Sequence, residues 1–153
     1  MLYNSPRSES VINKRQYATL SEFRFRLAQF LRFSEAAALD AGMSPLQYLL
    51  LLHLRGYPGR EWATVGELAA RLDASHQGTV GLVKRCEANG LVTKQRSTMD
   101  ARRVEIHLTP RGRALVKRIA TRHLRELNRL DEIFRSVGAA HRERLNLAQE
   151  ASL

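Results

Sequence analysis

Apolar residues along the chain recur with two different periods, and the switch between them marks out the elements. From about Val11, Leu20, Phe23, Leu27, Phe30 and Leu31 return every three or four positions, the mark of a helical face. Gly42 closes that helix. Ser44-Pro45-Leu46-Gln47 opens a second one, with a serine cap, a proline at the first helical position and a glutamine three residues after the serine. To about Leu54 this helix is apolar almost all round, which predicts burial. After the loop RGYPGREW, Thr64-Val65-Gly66-Glu67 repeats the capping pattern and starts a short helix with Val65, Leu68, Ala69 and Leu72 on one face. LDAS makes a tight turn. Ser75 then caps a fourth helix running to about Asn89 and stopped by Gly90, with Thr79, Leu82, Val83 and Cys86 turned inward.

The period then falls to two. Leu91–Arg96 and Arg103–Leu108 are predicted strands, the second alternating Val104, Ile106 and Leu108 with Arg103, Glu105 and His107. A polar tip, Ser97 to Arg102, joins them. Thr109-Pro110 caps a long helix to about Val137 carrying Leu115, Ile119, Leu127, Leu130 and Phe134, Gly138 is expected to break it, and a short helix from about Ala139 ends the chain. The predicted fold is mainly α with a small β-hairpin, in the order α-α-α-α-β-β-α-α. Residues 1–10, with Pro6 among serines, are expected to be a mobile arm, and residues 11–153 a single domain.

Charge narrows the function. The chain has 153 residues and carries 25 Lys+Arg against 15 Asp+Glu, a net charge of +10. The excess is mostly arginine, whose planar fork suits phosphate and guanine. A polyanionic partner follows, and nucleic acid comes before membrane because the longest apolar run, Leu46 to Leu54, is far short of the ~20 residues a span needs. The single cysteine leaves no disulfide framework, and the first residues lack an apolar signal core, which points to the cytoplasm.

Two short helices joined by a turn have the form of a helix-turn-helix. The second must set its N-terminal residues against base edges in the major groove. With 79, 82, 83 and 86 inward, its outward set is His76, Gln77, Val80, Gly81 and Lys84. Gln77 can pair with adenine, Val80 can touch a thymine methyl, and Lys84 can reach guanine or phosphate. Gly78 and Gly81 each cost about 1 kcal/mol of helix propensity, which implies close approach either to phosphate or to a neighbouring helix. The hairpin that follows is placed as a wing, whose tip can enter the minor groove. There Asp100 is expected to pair with Arg102 and hold it extended. Ser75, Arg96 and Arg103 complete the candidate DNA-binding set.

The stretches TVGELAARLDASHQGTVGLVKRCEANGLV and DARRVEIHLTPRG together resemble the winged helix of the MarR family of transcriptional regulators. The family's Asp-x-Arg wing motif falls on Asp100 and Arg102, followed by Leu108-Thr109-Pro110-Arg111-Gly112. One departure is Gly78, where such proteins often carry Ser or Thr. Cys86 is another, at a place where they often carry leucine. The resemblance implies a winged helix over about 44–109 with dimerisation helices at about 11–40 and 110–152. It implies a homodimer that reads a pseudo-palindromic operator in double-stranded DNA and represses until a small aromatic or phenolic acid binds. Leu20, Phe23, Leu27 and Phe30, with Leu127, Leu130, Phe134 and Leu145, supply apolar surface for the dimer. Arg24, Arg26, Tyr48, His53 and Trp62 lie where the resemblance places such a ligand.

Other classes fit less well. Cys86 admits a thiol-based redox sensor, although its place on the inward stripe favours packing. The five histidines form no ligand pair at helical spacing, so no metal is expected. No nucleophile elbow, phosphate loop or zinc-hydrolase motif is present, so the chain is expected to be no enzyme and to need no cofactor. An RNA reader would offer aromatic platforms, and residues 76–84 and 96–103 have none. A basic winged helix acting as a protein-interaction module is the remaining alternative.

Overall fold

The computed structural model describes residues 12–150, and all of their side chains except those of 133, 134 and 137–150. The expected arm, residues 1–10, lies outside the described residues, as do the side chains of Phe134 and Leu145. The described residues form α1 (Lys14–Asp40), α2 (Pro45–Arg55), β1 (Trp62–Ala63), α3 (Val65–Leu72), α4 (His76–Ala88), β2 (Val92–Arg96), β3 (Val104–Leu108) and α5 (Pro110–Glu150). The chain divides into two compact units. One takes Met1–Phe30 and Leu127–Leu153, the other Leu31–Glu126.

The second unit holds the helix-turn-helix and the sheet. Its helices begin where the capping residues put them. Ser44 and Thr64 each accept the backbone N–H of the residue three ahead, and the side chains of Gln47 and Glu67 bond back to the cap. Both α1 and α4 end in the same way. Gly42 and Gly90 take positive φ, and the N–H groups of the next residues, Met43 and Leu91, reach back to the carbonyls of Ala38 and Cys86. Met43 and Leu91 are thereby folded into the core.

Strand order is β1-β3-β2, all antiparallel. Across this small sheet Ala63, Val92, Ile106 and Leu108 turn inward. They meet Leu50, Leu51 and Leu54 of α2, Leu68 of α3, the Leu82-Val83-Cys86 stripe of α4, and Val116 and Ile119 of α5 in one cluster. Burial of α2 is less complete than its composition predicts, because Leu46 is half exposed.

The order of elements departs from the sequence expectation in two places. A third strand, β1, pairs Trp62 with His107 and Ala63 with Ile106. Two residues are too few to show a period. The helix from Pro110 also passes through Gly138 without a break and absorbs the separate helix expected from Ala139. One interior glycine costs only about 1 kcal/mol, and Ala139 and Ala140 beside it are the best helix formers.

A buried polar contact ties α2 to α5. The Tyr48 hydroxyl and His123 Nδ1 share a hydrogen bond of 2.9 Å, and Phe33 meets the same imidazole edge-on. Burial, helped by Arg122, holds His123 below its ordinary value of 6.5. The folded state therefore favours the neutral ring. This contribution to stability is present above the unfolded value and is lost as pH falls through the lower folded value. Urea unfolding at pH 7.5 and 5.0 is expected to show a larger loss of stability for the wild type than for His123→Gln.

Candidate nucleic-acid interface

The turn between α3 and α4 depends on Asp73, which sits in the left-handed region at φ 49°, ψ 46°. Asp tolerates this conformation better than most residues. The N–H of Ala74 closes back onto Ala69 at 3.0 Å. Ser75 then caps α4, its Oγ accepting the Gly78 N–H at 3.0 Å. Thr79, Leu82, Val83 and Cys86 are buried as the spacing requires, while Ser75, His76, Gln77 and Lys84 are exposed and Val80 and Gly81 half-exposed.

The two glycines resolve an open choice. A Cβ at Gly78 would meet only Ser75 Oγ, at 3.0 Å, and one at Gly81 only the Arg85 guanidinium, at 3.5 Å. Neither faces a neighbouring helix closely. Close helix packing therefore does not account for them, and the bare backbone they leave faces outward.

The hairpin carries the second half of the surface. Ser97, buried at the root of the tip, accepts the N–H groups of Met99 and Asp100 at 3.2 and 3.3 Å. The Ser97 N–H bonds the Arg103 carbonyl at 2.9 Å, and the Arg103 N–H bonds the Asp100 carbonyl at 3.0 Å. The expected Asp100–Arg102 ion pair is not formed. Asp100 Oδ1 instead accepts the backbone N–H of Arg102, at 3.0 Å. An aspartate two residues upstream of an amide in a tight turn reaches that amide with less loss of side-chain freedom than a guanidinium demands. The aspartate thus shapes the backbone, and Arg96, Arg102 and Arg103 are left exposed around the tip. Met99, 92% exposed at the tip, is an apolar residue that charge patterning alone does not single out.

Behind the hairpin, Thr109 joins three elements. Its hydroxyl donates to the Gly90 carbonyl at 2.6 Å and accepts the Gly112 N–H at 3.0 Å, while its own N–H bonds the Leu91 carbonyl at 3.1 Å. The Leu-Thr-Pro-Arg-Gly run is therefore a staple between the end of α4, the start of β2 and the first turn of α5.

With this geometry in place the comparisons with known proteins are specific. The sequence profile of the MarR family matches residues 41–103, from the end of α1 to the wing. A MarR family protein from Bacillus stearothermophilus has 25% identity and a TM-score of 0.66, with 94% of this chain and 100% of that one covered. Residues 41–103 are thus similar to the MarR family, and the chain has the fold of a MarR family protein.

Two further relationships frame this chain. A protein described as the putative transcriptional regulatory protein for the hcr operon of Thauera aromatica is 28% identical over 67% of this chain and 60% of its own length. The chain spans about half to three-fifths of the length of the curated relatives it matches. Sco3205, a MarR family transcriptional regulator from Streptomyces coelicolor solved in complex with DNA, shares the fold at a TM-score of 0.61 and 22% identity, covering 88% of this chain and 89% of that one.

Of the residues expected to line a ligand site, Arg24 and Arg26 belong to the first unit, where Arg26 pairs with Glu22 at 2.7 Å on an exposed helix surface. The three in the second unit each have a different partner. Tyr48 is buried against His123, and His53 is half-buried on α2, its imidazole held below the ordinary value by burial and by Arg71. Trp62 lies in the sheet, where it stacks under the Arg60 guanidinium at 3.8 Å, with Arg103 at 5.8 Å. A cavity of about 320 Å³ opens elsewhere, between α2 and the first half of α5. Arg55, Arg113 and Lys117 bring cations to it, and Ala114, Ala120 and Leu124 bring apolar surface. Glu61 bridges the two arginines. None of these lining residues stands out by local sequence pattern, since α2 and α5 meet only in the fold.

Cys86 is fully buried, and burial pushes its thiol up to about 11. Little thiolate forms near neutral pH. The native protein is expected to react with a disulfide reagent at least about 100-fold more slowly than the urea-unfolded chain, measured by thiol release at pH 7.5. Among the described residues no three His, Cys, Asp or Glu side chains gather into a metal site, and no helix is long and apolar enough to cross a membrane.

Proposed function

We propose that this chain is a duplex-DNA-binding transcriptional regulator that works as a homodimer and represses its target until a small aromatic acid binds. The observation that carries the reading is the outward surface of α4. Its N-terminal turns are exposed, and its two glycines approach no neighbouring helix. In this reading Gln77, Val80 and Lys84 contact base edges, while Ser75, His76 and the bare backbone at Gly81 lie along phosphate. The wing sets Arg102 into the adjacent minor groove, with Arg96 and Arg103 on its flanking phosphates. The DNA-bound MarR relative from Streptomyces coelicolor gives the same fold this partner.

Exposed apolar surface supports the dimer. In the first unit Ile12, Tyr17, Leu20 and Phe25 are about half exposed, and Leu127 joins them from α5. A stable monomer would have to leave this surface in water. A two-fold dimer would present two α4 helices to half-sites one helical turn apart. The cavity beside Arg55, Arg113 and Lys117 is the place for the effector. Its volume fits one small molecule, and Lys117, which has no ion-pair partner among the described residues while Glu61 holds Arg55 and Arg113, suits a carboxylate set beside apolar carbon.

The test is binding to a duplex spanning the region upstream of the protein's own gene, against unrelated duplex, at two salt concentrations, with sedimentation at micromolar protein. The expected result is a dimer that binds its own region at least about 1,000-fold more tightly and loses affinity steeply with salt. A monomer, or equal binding to both duplexes, would overturn the reading and favour a protein-interaction module.

A further inference from the structure

The first half of α5 is rich in cations and free of acids up to Arg125. From Ile106 to Arg125 there is no Asp or Glu, and residues 110–125 hold six cations: Arg111, Arg113, Lys117, Arg118, Arg122 and Arg125. At 100° per residue, Arg111, Arg118, Arg122 and Arg125 fall within about 60° of one another on the helix surface, in a line about 21 Å long. All four are exposed. None has an ion-pair partner among the described residues, whereas Arg113, on a different face, is held by Glu61 at 3.2 Å.

The packed face of this helix is the one with Gly112, Val116, Ile119 and His123. The exposed Leu127, the α5 residue of the proposed dimer surface, lies about 170° around the helix from the arginine line. The arginines are thus separate both from the core and from the apolar surface a second copy would cover. In a two-fold interface each residue meets its own environment in reverse, so a dimer seam along this line would set like charges together. A face kept only for solubility would mix signs. The line also starts beside the end of α4, because a Cβ at Gly90 would lie 3.9 Å from the Arg111 guanidinium.

We infer that the Arg111-Arg118-Arg122-Arg125 line on α5 is a contact surface for the phosphate backbone of duplex DNA, engaging the same duplex outside the segment held by α4 and the wing. This rests on the DNA-binding reading above and extends it. Guanidinium groups at one- to two-turn intervals along a helix offer repeated forks to successive phosphates. They carry no sequence information, so their contribution is equal on all duplexes and steep in salt.

The experiment is anisotropy of a 40-base-pair mixed-sequence duplex across a salt series. It compares the wild-type full-length chain, the Arg118→Gln/Arg122→Gln/Arg125→Gln triple variant, and Arg102→Ala. Glutamine keeps helix propensity at exposed positions, and far-UV circular dichroism and sedimentation confirm the fold and assembly of each variant. The triple variant is expected to lower the slope of log K against log salt by about 2 to 3 per bound protomer and to weaken binding at least about tenfold. Arg102→Ala is expected to lower that slope by about 1 per bound protomer. If the triple variant keeps the wild-type slope while Arg102→Ala lowers it, the α5 line does not touch DNA, the inference fails and the DNA-binding reading stands. If the wild type does not bind the duplex, or neither variant changes the slope, both fail together.

Discussion

Gly112→Ala is expected to destabilise the protein by about 3 kcal/mol, against the propensity rule, since alanine in a helix interior is normally worth about 1 kcal/mol more than glycine. Gly112 lies in the first turn of α5 and is buried. A Cβ there would run into the Leu91 carbonyl oxygen, inside any allowed contact distance, and would also press on Leu108 Cδ2 at 3.3 Å. The Leu91 carbonyl cannot retreat, because it accepts the Thr109 N–H and belongs to the Schellman end of α4. Either α5 lifts away from the sheet or the staple at Thr109 opens. Denaturant unfolding measures the loss, and a fall of roughly 6 to 12 °C in Tm accompanies it for a domain of this size. Gly66→Ala is the control of opposite sign. Gly66 is exposed within α3, a Cβ there meets nothing within 4 Å, and a gain of up to about 1 kcal/mol is expected. Equal stability of Gly112→Ala and wild type would show that α5 does not start against Leu91.

That contrast marks the boundary of what the residues declare by themselves. Ser44, Thr64 and Ser75 announce their helices because a cap acts within three or four residues. Gly42 and Gly90 announce the ends of α1 and α4 for the same reason, and the Thr79-Leu82-Val83-Cys86 stripe declares its buried face through a period. The role of Gly112 is not local. It is set by a carbonyl twenty-one residues upstream, and the sequence contains only the glycine. The same limit explains β1, whose two residues become a strand only because His107 and Ile106 lie alongside them. It explains the cavity too, which forms where Arg55 of α2 comes beside Arg113 and Lys117 of α5. The resemblance groups Trp62, Tyr48 and His53 as candidates for a ligand site, and in the fold each finds a different partner: Arg60, His123 and the Arg71 field.

The wing shows a residue pair correctly noticed and differently connected, and this separates two otherwise equivalent substitutions. If Asp100 acted through the Arg102 guanidinium, its charge would matter, and Asp100→Asn would behave like Asp100→Ala. In the structure its Oδ1 accepts the Arg102 backbone N–H at 3.0 Å. The asparagine carbonyl oxygen can accept the same bond. Asp100→Asn is therefore expected to bind duplex DNA as tightly as wild type or somewhat more tightly, since a negative charge beside the phosphates is removed. Asp100→Ala loses the bond that shapes the tip, worth about 1 kcal/mol, and is expected to weaken binding about fivefold. Arg102→Ala removes the groove contact itself and is expected to cost about 1 to 3 kcal/mol, or roughly 5- to 150-fold. Measured by anisotropy on one duplex at fixed salt, the order of affinity is Asp100→Asn at or above wild type, then Asp100→Ala, then Arg102→Ala. An Asp100→Asn variant as weak as Asp100→Ala would return the wing to an ion-pair mechanism. A full loss in Asp100→Ala, equal to that of Arg102→Ala, would mean that the arginine finds the groove only when the tip backbone is already set.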